Sequence, residues 1–174
     1  MLCNICYMRS LLLQDTFVST KTKGMYHSIV RKLVKKSFGL VNERRFTELA
    51  KGMALNVKHS FAGNHALGGT RHDVAAVKSW LERLARLTPN LYITVNSIIV
   101  KGLPHNTLAI VRWTATATLE NGDPYLNKGV HFITLKWGKA TELDVYEDSL
   151  VVYNGLEKQY QAGILEAKAM QIIS

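Results

Sequence analysis

Between residues 26 and 41 the apolar positions are Ile29, Val30, Leu33, Val34, Phe38 and Val41, three or four apart where the face repeats, and the opposite face is basic. That spacing predicts an amphipathic helix. Asn42-Glu43 reads as a corner, and Phe46, Leu49 and Ala50 carry a short second helix. Residues 54–61 alternate apolar and polar, as a half-buried strand does. Gly63 to Gly69 reads as a loop. Thr70 is placed to cap the next helix, whose buried stripe is Val74, Val77, Trp80, Leu81 and Leu84. Beyond Pro89-Asn90 the period changes to two. Strands are predicted over 91–101, 107–119, 125–137 and 140–146, with turns at 102–106, 120–124 and 138–139. Residues 150–156 read as a short helix or coil, and 164–172 as weakly helical. Helices first and an antiparallel meander after predict an α+β fold with the helices on one face of the sheet.

The chain has 174 residues, the size of one domain. With 47% hydrophobic and 20% charged residues it is neither a disordered nor a low-complexity sequence. No run of about 18 apolar residues is present, so no membrane span is predicted. The net charge is 22 − 13 = +9. Much of it lies in residues 21–51, where nine Lys and Arg face Glu43 and Glu48. Such a segment steers anions, but no aromatic platform or nucleic-acid motif accompanies it, so nucleic acid is not an expected partner. Cys3 and Cys6 are the only cysteines. A lone C-x-x-C without a second ligand pair does not make a zinc site, and a cysteine-free body fits a cytoplasmic location. Residues 1–24 lack the charge, apolar run and small-residue order of a secretory signal. They are read as a flexible extension, with 25–163 as the folded domain and 164–174 as a tail. No G-x-G-x-x-G, Walker or G-x-S-x-G motif occurs, and neither cofactor nor metal is expected.

The order of elements, with the stretch from Phe61 through Gly68-Gly69 to Arg71, then Gly129-Val130-His131 to Trp137-Gly138-Lys139, then Tyr146-Glu147-Asp148, resembles the SnoaL-like (polyketide cyclase-like) families of the nuclear transport factor 2-like superfamily. The resemblance covers roughly residues 26–163. It implies a cone-shaped curved sheet wrapped around the N-terminal helices, an apolar pocket and a homodimer through the outer sheet face. Trp113 is a candidate anchor for that interface.

The resemblance also implies site residues. In ketosteroid isomerase, a superfamily member, an Asp base works with a Tyr and a protonated Asp. Those positions are matched here by His59, Ser37 and His131, so steroid isomerisation is not implied. An imidazole still suits proton transfer near neutrality, and a second one suits donation to an enolate oxygen. His59 is therefore expected as general base and His131 as donor. Arg112, Ser37, Trp80 and Asn127 are expected as ligand contacts, with Arg112 and His131 both facing inward. Arg112 alternatively pairs with Asp144 or Glu142. The resembling epoxide hydrolases need an Arg-x-Asp pair and a second Asp; Arg112-Trp113-Thr114 lacks the carboxylate, which excludes that chemistry. Asp148 reads as a cap for the turn that follows it. The expected function is binding of a small apolar or carbonyl-containing ligand, with isomerase- or cyclase-type acid–base chemistry; the alternative is a non-catalytic binding or interaction module of the same fold.

Overall fold

A computed structural model describes residues 4–174, with side chains from Thr22 onward. Residues 1–3, with Cys3, lie outside the described residues, and of 4–21, which hold Cys6 and most of the 1–24 extension, only the helical backbone is described. Helix α1 runs from Asn4 to Asn42 and α2 from Phe46 to Ala50. Strands β1 (Met53–Phe61) and β2 (Gly69–Arg71) lead into helix α3 (Val74–Leu87). Then come β3 (Tyr92–Leu103), β4 (Asn106–Thr118), β5 (Pro124–Lys136), β6 (Lys139–Glu147), helix α4 (Ser149–Gln161) and a 3-10 turn at Leu165–Lys168.

The six strands form one sheet in the order β2-β1-β6-β5-β4-β3. It is curved and does not close. The meander from β3 to β6 is antiparallel, whereas β1 lies parallel to β6. Curvature has a local cause in β3, where the pairing slips between Val95 and Ser97. The extra residue, Asn96, bends the strand. It also shifts the inward set from Ile93 and Val95 to Ile98 and Val100, which face Ala115, Trp113, Val111 and Ala109 of β4. The β5–β6 hairpin turns on Trp137 and Gly138, both at positive φ (51° and 79°), as a two-residue hairpin requires.

The concave face is covered by α1, α3 and α4. Helix α1 buries Val30, Val34 and Phe38, while Ile29 and Leu33 are largely exposed. Polar clamps fix it to the sheet edge. Asn42 donates to Ile93 O (3.0 Å) and accepts from Ile93 N (2.8 Å), which imitates a neighbouring strand. The Tyr26 hydroxyl meets Thr107 Oγ1 at 2.6 Å. Asp73, not Thr70, caps α3, accepting from Ala76 N at 2.7 Å; Thr70 is taken up in β2. Asp148 caps α4 through Leu150 N and Val151 N, and this helix extends well beyond the 150–156 stretch.

The segment after α4 is docked against the domain. Glu166 pairs with Arg83 and Arg86, and Arg83 donates to Met170 O at 2.7 Å. Among the described residues no helix is long and apolar enough to cross a membrane.

Candidate functional site

Partners directly opposite in a sheet share a face, so the register fixes which side chains meet inside. On β5 the inward set is Asn127, Gly129, His131, Ile133 and Leu135, opposite Ala115, Trp113, Val111, Ala109 and Thr107 of β4. On β6 it is Leu143, Val145 and Glu147, opposite Ile133, His131 and Gly129. On β1, His59 lies beside Leu143 and Phe61 beside Val145. His59 and His131 thus flank β6 from its two sides.

This face and the helices enclose a cavity of about 170 Å³, lined mainly by apolar side chains that include Phe38, Phe61, Leu81 and Leu143. A cavity of roughly 150 Å³ already admits a benzene ring. Ser37, His59, Trp80 and His131 all reach its wall. Trp80 Nε1 is already committed to Leu67 O at 2.7 Å, so Trp80 offers only its ring. Ser37 Oγ donates to Leu33 O at 3.1 Å, one turn back in its own helix.

Three placements differ from expectation. Arg112 is exposed on the convex face. It lies opposite Val130, whereas His131 lies opposite Val111, so Arg112 and His131 cannot both point inward. Its suggested partner Glu142 is bonded to Lys58 at 2.8 Å. Asn127 is buried but does not line the cavity. It donates to Tyr125 Oη (3.2 Å) and Asp148 O (3.1 Å) and accepts from Lys128 N (2.7 Å). Trp113 is on the concave face, 4% exposed, not on the outer one.

Trp113 instead orders the site. Its Nε1 donates to His131 Nδ1 at 2.6 Å. Gly129 makes this possible, because a Cβ there would stand 2.3 Å from Trp113 Cζ2. Burial pushes the His131 imidazole down to about 4, so the ring is neutral at neutral pH. With Nδ1 accepting, its proton is on Nε2.

His59 is set in the same way. Arg71, fully buried and opposite His59 in the β1–β2 ladder, donates from Nη1 to His59 Nδ1 at 3.0 Å. Burial, then the Arg71 charge, hold His59 well below its ordinary value. Its neutral ring therefore also carries the proton on Nε2. Such a ring donates and has no free lone pair, which argues against the general-base role expected of it. Arg71 is in turn held by Ile172 O (2.7 Å) and Gly68 O, and its guanidinium lies over Trp80. Burial lowers Arg71 only to about 10, so it stays charged.

Sequence reasoning missed Tyr125 and Glu147, which line the same cavity. Burial, then the adjacent Asp148, push the Glu147 carboxyl up to about 8. Burial, then Glu147, raise the Tyr125 phenol. Neither Nε2, nor the Glu147 carboxyl, has a protein hydrogen-bond partner. Among the described residues, the only side-chain N or O atoms both sealed and unpartnered are the His65 ring nitrogens. The free atoms of His59, His131 and Glu147 therefore touch open space, and for the buried His59 that space is the cavity. Glu147 was legible in principle, since it continues the inward alternation Leu143, Val145 by one step. Among the described residues no group of His, Cys, Asp or Glu is arranged to hold a metal ion.

A bent, open sheet folded around an apolar cavity with helices as its lid is the nuclear transport factor 2-like architecture. The chain belongs to the SnoaL-like domain family, whose profile matches residues 34–143. No curated protein matches it. Among solved structures, it is similar to TerC co-crystallised with polyporic acid, at 22% identity over 72% of this chain and 96% of that one (TM-score 0.64). An NTF2-like protein of unknown function from Burkholderia pseudomallei is 19% identical over 71% and 94% of the two chains (TM-score 0.64). A putative scytalone dehydratase from Novosphingobium aromaticivorans is 15% identical over 74% and 87% (TM-score 0.64). At these identities the likeness is one of fold.

Proposed function

We propose that the cavity binds a small, mostly apolar, neutral ligand through an acceptor oxygen such as a ketone, and that the protein carries out isomerase- or cyclase-type proton transfer on it. The observation that carries this reading is the pair of imidazoles with Nδ1 engaged by fixed donors and Nε2–H left without a partner. Two preorganised neutral donors in an apolar enclosure suit an oxygen on which negative charge develops. They do not suit a cation, which would find no acceptor at either ring. A cavity maintained this way has no role in an interaction module that binds through its surface.

The test is binding of 2-indanone against indane, followed by quenching of Trp80 and Trp113, which both line the cavity. The ketone is expected to bind about fivefold more tightly or better, the worth of roughly one net hydrogen bond. His131→Phe is expected to remove that preference, and Arg112→Ala on the far face to leave it unchanged. Equal binding of the two probes to the wild type, or no binding of either, refutes the reading.

A further inference from the structure

We infer that Glu147 is the proton acceptor of this cavity, and that its substrates are ketones or related carbonyl compounds with an acidic hydrogen on a carbon near the carbonyl. The inference rests on the pocket reading above and supplies what the two imidazoles lack. Both rings are donors, so proton abstraction needs another group. The other cavity-lining hydrogen-bonding side chains are placed differently. Ser37 and Thr88 donate one turn back to Leu33 O and Leu84 O, the Trp113 indole donates to His131, and the Trp80 indole and Gln159 amide donate to the carbonyls of Leu67 and Leu87. The Tyr125 hydroxyl accepts from Asn127 and is held in its neutral form. The Glu147 carboxylate has free lone pairs and no cation beside it.

Position agrees with the role. Glu147 lies opposite Gly129, which presents no side chain, and diagonally across the β5–β6 ladder from His131. Diagonal neighbours are about 7–8 Å apart at the backbone. One small ring system spans that gap with its oxygen at Nε2 of His131 and a C–H edge toward the carboxylate. The step balances without a co-reactant. A Glu147 oxygen takes the proton, the C–H pair becomes a carbon–carbon double bond, and the carbonyl π pair moves to oxygen. The resulting enolate is held by the His131 Nε2–H. Return of the proton to a different carbon gives isomerisation, and attack of the enolate carbon on a second carbonyl of the same molecule gives ring closure.

The probe is again 2-indanone, now in D₂O, with loss of its α-hydrogens followed by NMR and buffer exchange subtracted. The titratable groups nearest Glu147 are Asp148, which follows its strand and caps α4, and Tyr125 and His131 on β5; His59 on β1 lies farther along, beside Leu143. Burial, then Asp148, raises its titration. Wild-type exchange is expected to rise with pH through about 8 and then level. Glu147→Gln is expected to lower it at least ~100-fold while 2-indanone affinity changes little. Glu147→Asp, which keeps a carboxylate, is expected to retain part of the rate and its pH dependence. Exchange in Glu147→Gln within threefold of wild type overturns the inference. So does a wild type that binds 2-indanone without accelerating exchange, and in that case only the ligand-binding half of the pocket reading survives. Absence of 2-indanone binding removes both.

Discussion

Replacing Gly129 by alanine tests the packing that orders His131. The added Cβ would stand 2.3 Å from Trp113 Cζ2, 2.8 Å from Cη2 and 2.7 Å from the Tyr146 carbonyl oxygen. Tyr146 O belongs to the neighbouring strand and has little freedom, so the indole must move. Overpacking of this kind costs about 1–3 kcal/mol. Moving the indole also breaks the 2.6 Å bond to His131 and leaves a buried acceptor without its donor, at about 1–3 kcal/mol more. The combined cost, allowing for partial relaxation, is about 2–4 kcal/mol. For a chain of this length that lowers Tm by roughly 5–15 °C. Thermal unfolding measures the cost, and the His131 ring ¹⁵N shifts report whether Nε2 still holds the proton. A variant with wild-type Tm and unchanged ring shifts would refute the idea that Gly129 is the gap through which Trp113 reaches His131.

Two further outcomes follow from the buried polar groups. Arg71→Met leaves Ile172 O, Gly68 O and His59 Nδ1 without their donor, and should cost about 2–5 kcal/mol. His59 should then titrate higher yet remain below its ordinary value, because burial is the larger cause; unchanged His59 ring shifts would count against the assignment. The second outcome is a pH dependence. His131 titrates near 4 when folded and near 6.5 when unfolded, so the unfolded chain binds the extra proton. Its contribution is complete above pH 6.5 and is lost as pH falls toward 4, a change of about 3 kcal/mol. Glu147 has the opposite sign: raised to about 8, it favours the folded state below its ordinary value of 4.5 and loses that as pH rises toward 8. Denaturant melts across pH should show wild type losing stability relative to His131→Phe on acidification, and relative to Glu147→Gln on alkalinisation. Parallel curves would refute both assignments.

Much of the architecture could be read from periodicity. The meander announced itself by alternation and by turn residues, and α3 by its apolar stripe. What failed was whatever depends on two distant segments lying side by side. Gly69–Arg71 carries no strand signal of its own and becomes β2 only because it finds β1. For the same reason Arg71 gave no hint of its partnership with His59. Alternation divides β4 into two sets but does not say which one faces inward. The pairing of Val111 with His131 decides it, and it sends Arg112 out and Trp113 in. His59 lines the cavity, yet its protonation depends on a neighbour the sequence does not reveal. Glu147 followed the inward alternation but sat where the strand gives way to the Asp148 cap, and a terminal carboxylate reads as surface.

The parallel pairing of β1 with β6 bears on how the chain acquires its shape. His59 and Leu143 are neighbours in the sheet although 84 positions separate them. Until β6 emerges from the ribosome, β1 has only the three-residue β2 beside it in the sheet, and β5 is paired along one edge only. Contacts of such sequence separation form slowly, and the unfinished intermediate exposes surface that invites aggregation. Insertion of β6 between β1 and β5 completes the sheet, and α4, which follows it and lines the cavity with Val152 and Leu156, closes the chamber last.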